Sequence, residues 1–257
     1  MALTDTVTQQ PERNTPMVDL HCHFLPGIDD GPASLEDAVA LARTAVENGI
    51  GRVVVTPHIH CGRYENDLDS IRPVFEMFSR EIEIRGIPIR LDFAAEVRMG
   101  PEIIEMIESE RLPFLGMQDG YRMLLLEFPH SHIPLGSEKM VNWLLLRKIR
   151  PVIAHPERNK DVMRSLSKIV PFIEMGCLLQ VTAGSVAGNF GPFCQDICVK
   201  LLESGWVWAL ASDAHNLAYR PPELEAGRVA AEKVVGNAAS WAMVHDNPAS
   251  ILESYSV

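Results

Sequence analysis

Nine side chains of ligand type fall just beyond short apolar runs of this sequence. They are His21 and His23 with Asp30 in DLHCHFLPGIDDGP, His58 in TPHIH, Glu96 in AAE, Glu127 in LLLEFP, His155 in AHPERN, and Asp213 and His215 in ASDAH. In extended chain, side chains two residues apart share a face, so His21 with His23, and Asp213 with His215, can each address one ion while Cys22 points away. Singly, each has a plainer reading: polar residues at a strand end, a surface ion pair, or turn residues in the case of Asp29 and Asp30. A buried glutamate behind an apolar run, as at Glu96 and Glu127, is costly unless a cation partners it.

Taken together, the nine form a mixed nitrogen and oxygen set with no required cysteine. That suits Mn, Fe, Zn or Mg better than a structural zinc site or an iron–sulfur cluster. Nine ligands exceed what one four- to six-coordinate ion can use, so two or three ions are implied, with a carboxylate such as Glu96 bridging. The chemistry is metal-assisted hydrolysis. Arg158 and Arg220, each a few residues past a ligand, are placed to contact phosphate or carboxylate oxygens. His60 lies deeper in its loop and reads as a substrate or loop-packing residue.

These side chains need a scaffold that brings distant segments to one face. Seven strands are predicted, at Val18–Leu20, Arg52–Thr56, Arg90–Ala94, Met123–Glu127, Pro151–Ala154, Leu178–Thr182 and Val207–Ala211. Between the first two, Leu35, Ala38, Val39, Ala42, Ala45 and Val46 recur at helical spacing, with Ser34 and Asp37 as the cap and Gly49 as the stop. Further helices are predicted near 67–85, 101–109, 137–148, 161–175, 194–204 and 223–235. Alternation of this kind is the pattern of parallel βα units, whose strands converge with their carboxyl ends on one face. It fits a barrel or an open sheet equally. No repeat or linker divides the chain, so one domain is expected over 17–257, preceded by a flexible extension at 1–16.

Composition narrows the partners. The 257 residues carry a net charge of −11, which disfavours a broad basic nucleic-acid face, and 47% hydrophobic content supports a globular core. Five scattered cysteines do not suggest a disulfide framework, the first residues lack a signal-peptide pattern, and no run reads as a membrane span. A cytoplasmic protein without membrane insertion is expected; an oligomer is compatible with the sequence. There is no Cys-x5-Arg phosphate loop, no GxxxxGK[ST] and no GxSxG.

The ordered series DLHCHFLPGIDDGPAS, TPHIH, AAE, LLEFP, AHPERN and ASDAHNLAYRPP, spanning Val18 to Pro222, resembles the polymerase and histidinol phosphatase (PHP) superfamily. The resemblance is closest to its bacterial capsular and exopolysaccharide protein-tyrosine-phosphatase branch. It implies an α/β fold of the distorted (β/α)7 TIM-like barrel type and a trinuclear centre, usually supported by Mn, that hydrolyses phosphotyrosine. It further implies one ion on His21, His23, Glu96 and Asp213, a second on Glu96, Glu127 and His155, and a third on Asp30, His58 and His215. Arg158 and Arg220 match the family's phosphate-contacting arginines, whereas His60, His130 and His132 match no role. The substrate the resemblance suggests is the tyrosine-rich tail of an autophosphorylating bacterial tyrosine kinase. Two alternatives share the fold: a phosphatase for small phosphomonoesters such as histidinol phosphate, and a non-catalytic regulatory domain. The phenolate released from phosphotyrosine has a conjugate pKa of about 10, so its departure needs little general-acid help.

Overall fold

The computed structural model describes residues 15–252, so the expected extension at 1–16 lies outside the described residues except for Thr15 and Pro16. Its elements run β1 (Met17–Cys22), α1 (Leu35–Glu47), β2 (Ile50–Val55), β3 (His58–Ile59), α2 (Leu68–Ile84), β4 (Arg90–Phe93), β5 (Glu96–Arg98), α3 (Glu102–Glu108), β6 (Gly116–Gln118) and β7 (Tyr121–Glu127). Then come α4 (Ser137–Leu146), β8 (Ile149–Ala154), α5 (Lys160–Arg164), α6 (Val170–Glu174), β9 (Leu178–Thr182), α7 (Ala183–Ala187), α8 (Pro192–Glu203), β10 (Val207–Ala211), α9 (Glu225–Val235), α10 (Asn237–Trp241) and α11 (Asn247–Leu252).

Seven parallel strand positions follow one another in sequence order. β1 pairs with β2 and β2 with β4, while the continuations β3 and β5 pair with each other and lead on through β7, β8 and β9 to β10. Two backbone bonds bring the last strand position back to the first: Asp213 N–H donates to His21 O, and His23 N–H to Ala214 O, both at 2.8 Å. The outcome is the parallel α/β arrangement expected, a distorted ring joined at the carboxyl ends of its strands.

The interior of this ring has two storeys. Its amino-terminal part is apolar: Val18, Leu20, Val54, Ala94, Met123, Leu125 and Val152 pack together with Ile251 and Leu252 of α11. Its carboxyl-terminal part holds the polar side chains. A separate, larger core lies between strands and helices and includes Cys22, Val53 and Val55. β1 serves both storeys because its register against β2 slips between Asp19 and Cys22. Such a bulge re-aims the residues after it, so His21 faces inward with Leu20 while Cys22 enters the outer core.

The capped start of α1 is as predicted, with Ser34 Oγ accepting from Asp37 N–H. Gly49, at φ 86°, supplies the left-handed residue just past its end. The predicted helix at 161–175 is instead broken into α5, a 3-10 turn at Leu166–Lys168 and α6. Ser165 is extended at φ −157°, and Pro171 has no N–H to continue the ladder. Besides the short helix α7, two larger features had no predicted counterpart. One is the β6–β7 hairpin, whose Asp119 and Gly120 both have positive φ, as a type I′ turn requires. The other is the α10 to α11 segment, including a π-helical turn at Ala242–Asp246.

Helix α9 approaches α7 closely at Gly227, where a methyl group would stand 2.6 Å from both Cα and O of Ala183. Gly227→Ala is therefore expected to destabilise the fold by about 1–3 kcal/mol through overpacking, read as a lower denaturation midpoint. An unchanged midpoint would show that α7 and α9 separate freely.

Candidate metal centre

All nine ligand-type residues named from sequence lie at the carboxyl ends of the strands, and eight of them have a donor atom within 3.5 Å of another's. The innermost group joins β1, β5 and the segment after β10. His21 Nε2 and His23 Nε2 are 3.2 Å apart; they lie 3.2 and 3.4 Å from Glu96 Oε2, and 3.3 and 3.5 Å from Asp213 Oδ1. Ligands about 2.1 Å from a tetrahedral ion are spaced about 3.4 Å apart, so the two imidazole nitrogens together with either carboxylate oxygen stand at the separations one small divalent cation needs. An outer group is built alike, with Asp30 Oδ1 at 3.3 Å from His58 Nε2 and 3.4 Å from His215 Nε2. The third is looser. His155 Nε2 meets Glu96 Oε1 at 2.7 Å, and Glu127 offers an oxygen within 4.8 Å of donors from His58 and Glu96.

Burial tests whether these groups fit cations. Glu96 Oε2, Asp213 Oδ1, His58 Nδ1 and His215 Nε2 are buried without a hydrogen-bond partner, and all four belong to these groups. Orphaned carboxylate oxygens in a buried site are expensive, and divalent ions would satisfy them.

The backbone is bent to aim two of the ligands. His155 and Asp213 have φ of 30° and 52°, left-handed values that cost a non-glycine residue on the order of 1–3 kcal/mol each. An outer layer fixes three imidazoles. His21 Nδ1 donates to Gln180 Oε1 at 2.8 Å, His23 Nδ1 to Asp29 Oδ2 at 2.7 Å, and His215 Nδ1 to the backbone oxygen of Asp213 at 2.9 Å. In each, Nε2 is left facing inward, the usual orientation of a ligating histidine.

Sequence reasoning missed three of these supports. Asp29 is more than a turn residue, since it also accepts from the backbone N–H of His58 at 3.0 Å. Gln180 sits inside β9 without a motif, and only its polarity within an apolar strand marks it. Arg98, two residues past Glu96, holds Glu127 Oε1 at 2.8 Å.

The arginines expected to meet phosphate are both on Asp213 Oδ2: Arg220 Nη2 at 2.5 Å, with Arg158 Nη2 on the same oxygen. Both also line a cleft of about 260 Å³ over the groups, together with His60, Tyr64, Arg98, Phe128 and His130. His132 is exposed, its Nδ1 on Ser131 Oγ. A larger cleft of about 730 Å³ by Met17, Asn48 and Arg228 contains none of the nine.

Electrostatics divides the histidines. Burial opposes protonation of all five, but Glu96 and then Asp30 push His58 up to about 9, and neighbouring carboxylates hold His21 and His23 above the ordinary value. Burial, reinforced by Arg158 for His155 and by His23 for His215, pushes those two down to about 4. Glu96 and Asp213 stay well below the carboxylate range despite burial, held there by imidazoles and, for Asp213, first by Arg158.

A parallel α/β ring with histidine and carboxylate donors gathered at its strand ends defines the class of metal-dependent α/β hydrolases. Within it the chain belongs to the capsular polysaccharide synthesis CpsB/CapC family, whose model matches residues 17–253. It is 32% identical over 241 residues to the tyrosine-protein phosphatase YwqE of Bacillus subtilis, covering 94% of this chain and 93% of that one. To the tyrosine-protein phosphatase CpsB of Streptococcus pneumoniae it is 28% identical over 242 residues, covering 92% and 98%. A solved structure from work on these two, described as metal-dependent tyrosine phosphatases, matches with a TM-score of 0.86 at 32% identity over 94% of this chain and 96% of that one. The phosphotriesterase homology protein of Escherichia coli shares the fold, with a TM-score of 0.59 at 12% identity over 93% and 99% of the two chains.

Two outcomes follow. Removing the outer support in Gln180→Ala should weaken metal affinity by about 10- to 100-fold, measured by competition with a chelator; unchanged affinity would leave Gln180 without an orienting role. Chelator-treated protein should be most stable near pH 6.5. Above that, the folded state keeps the His58 proton that the unfolded state releases, so stability falls as pH rises toward 9. Below it, the unfolded state takes up protons that His155 and His215 refuse, so stability falls toward pH 4. Metal loading should flatten the alkaline limb, and melting curves with and without metal check this.

Proposed function

We propose that this chain is a metal-dependent protein-tyrosine phosphatase acting on a phosphotyrosine protein of capsular or exopolysaccharide synthesis, with an autophosphorylated bacterial tyrosine kinase tail as its substrate. The observation that carries the reading is the set of buried, unpartnered donor atoms converging beside two arginines, in a chain whose relatives are named tyrosine-protein phosphatases.

The residues present fit two to three divalent ions. His21, His23, Glu96 and Asp213 would hold the first, Glu96, Glu127 and His155 the second, and Asp30, His58 and His215 the third. Nitrogen and oxygen donors suit Mn, Fe, Zn or Mg alike, and the family resemblance puts Mn first. Such ions supply an acidified water nucleophile and Lewis-acid neutralisation of phosphoryl oxygens.

The chain's own side chains do the rest. Arg158 and Arg220 reach the cleft from Asp213, and an incoming phosphoryl group offers their guanidiniums further charged acceptors in bidentate geometry. Asp213 thereby sets where those cations stand. The remaining cleft histidines, His60 and His130, are held below the ordinary value, by burial first and then by nearby arginines, so they are neutral at pH 7. A phenolate leaves without a strong proton donor, which matches a cleft whose histidines outside the proposed ligand set are neutral at pH 7. Tyr64, parallel to His58 with centroids 5.5 Å apart, and Phe128 give the substrate ring aromatic neighbours. The five unpaired cysteines support a reducing, cytoplasmic setting.

Phosphate release from a phosphotyrosine peptide and from histidinol phosphate, each with Mn²⁺ and with chelator, tests the reading. The peptide should be the better substrate, and chelator should abolish turnover. Asp213→Ala and His155→Ala should each lose more than the ~100-fold typical of an outer-layer change. Faster release from histidinol phosphate would overturn the protein-substrate assignment, and turnover undiminished by chelator would overturn the metal assignment.

A further inference from the structure

A second cluster of ligand-type side chains lies beneath the metal centre and plays no part in it. Cys194 and Cys198 stand four residues apart on α8, the spacing that puts two side chains on one helix face. They face Glu157, in the 3-10 turn at Pro156–Arg158 that follows β8. The two sulfurs and a carboxylate oxygen of Glu157 all lie within 4.8 Å of one another, and all three residues are buried. Glu157 Oε1 accepts from the backbone N–H of Thr182 at 3.1 Å, but its other oxygen, Oε2, is buried with no hydrogen-bond partner among the described residues. The Ser185 hydroxyl is buried and lies beside both Glu157 and Cys194.

We infer that Cys194, Cys198 and Glu157 form a separate structural site for a soft divalent cation, Zn²⁺ by preference, with Ser185 Oγ or a water completing the set. Thiolates select zinc over the Mn or Mg that suit an all nitrogen and oxygen centre, so the two sites differ in metal as well as in place. Binding releases the two thiol protons to solvent and leaves three anionic ligands around one dication. Arg158, with Nε 3.9 Å from Glu157 Oε1, lies beside the remaining negative charge. The ion would clamp α8 to the turn that carries both His155 and Arg158.

Refolding the chelator-stripped full chain with Co²⁺ tests this without recourse to activity. Sulfur-to-cobalt charge transfer absorbs in the near ultraviolet, where a centre of histidines and carboxylates is silent, so the outcome is independent of the phosphatase reading. The band should appear in the unaltered chain, persist in Cys61→Ser, which removes the exposed thiol, and vanish in the Cys194→Ser, Cys198→Ser double variant. Cys198→Ser alone should halve it, which decides the matter if the double variant does not fold. Absence of the band in the unaltered chain, or an undiminished band in Cys198→Ser, would overturn the proposal. So would a disulfide between the two cysteines in the purified protein.

Discussion

Two carboxylates at the mouth of the strand ring, Glu96 and Asp213, set the terms for everything around them. Both are buried and both remain ionised, because imidazoles and, at Asp213, two guanidiniums surround them. One oxygen of each is nevertheless unpartnered. A buried charge left partly uncompensated is costly, often several kcal/mol after relaxation. Protons on His21, His23 and His58 are one answer, and divalent ions compensate the same charge more fully. The raised histidine values and the metal fit are thus two faces of one electrostatic deficit.

The scaffold concentrates that charge by departing from regular geometry where it matters. The bulge in β1 places His21 on the inner face next to Leu20, and left-handed residues at His155 and Asp213 turn the chain sharply as each strand ends. Each departure has a local cost, set against two apolar cores that hold the strands from inside and outside. The hydrogen bonds of Asp213 N–H to His21 O and of His23 N–H to Ala214 O do double duty. They join the last strand position to the first, and they fix the spacing of three residues of the innermost donor group.

Much of this was legible in the sequence because strand ends are marked twice, by apolar runs and by the polar residue that follows. That is why Glu96, Glu127 and Asp213 could be named before their contacts were seen. The supports were harder. Asp29 looks like any turn aspartate, and its bonds to His23 and His58 depend on how the loop folds back. Gln180 is an amide set among Leu178, Leu179 and Val181, with a partner 159 positions away. The bulge leaves no mark in local composition, so a strand ending at Leu20 was the natural reading. The break at Ser165 was hidden because Pro171 lies among residues that otherwise suit a helix.

The position of the arginines shows how an acidic chain can receive an anion. Arg158 and Arg220 share one oxygen of Asp213, whose other oxygen faces the histidines. On the proposed reading, Asp213 would give up part of its negative charge to an ion held by the inner group and would then hold the guanidiniums less tightly. Arg158 and Arg220 would be the freer to engage a phosphoryl group in the cleft. Glu157 limits that freedom for Arg158 alone, lying next to it in sequence and 3.9 Å away in space. The two arginines are therefore not equivalent. Arg158 is half-buried between Asp213 and Glu157, whereas Arg220, in the loop after β10, is more exposed and has no second carboxylate of this kind.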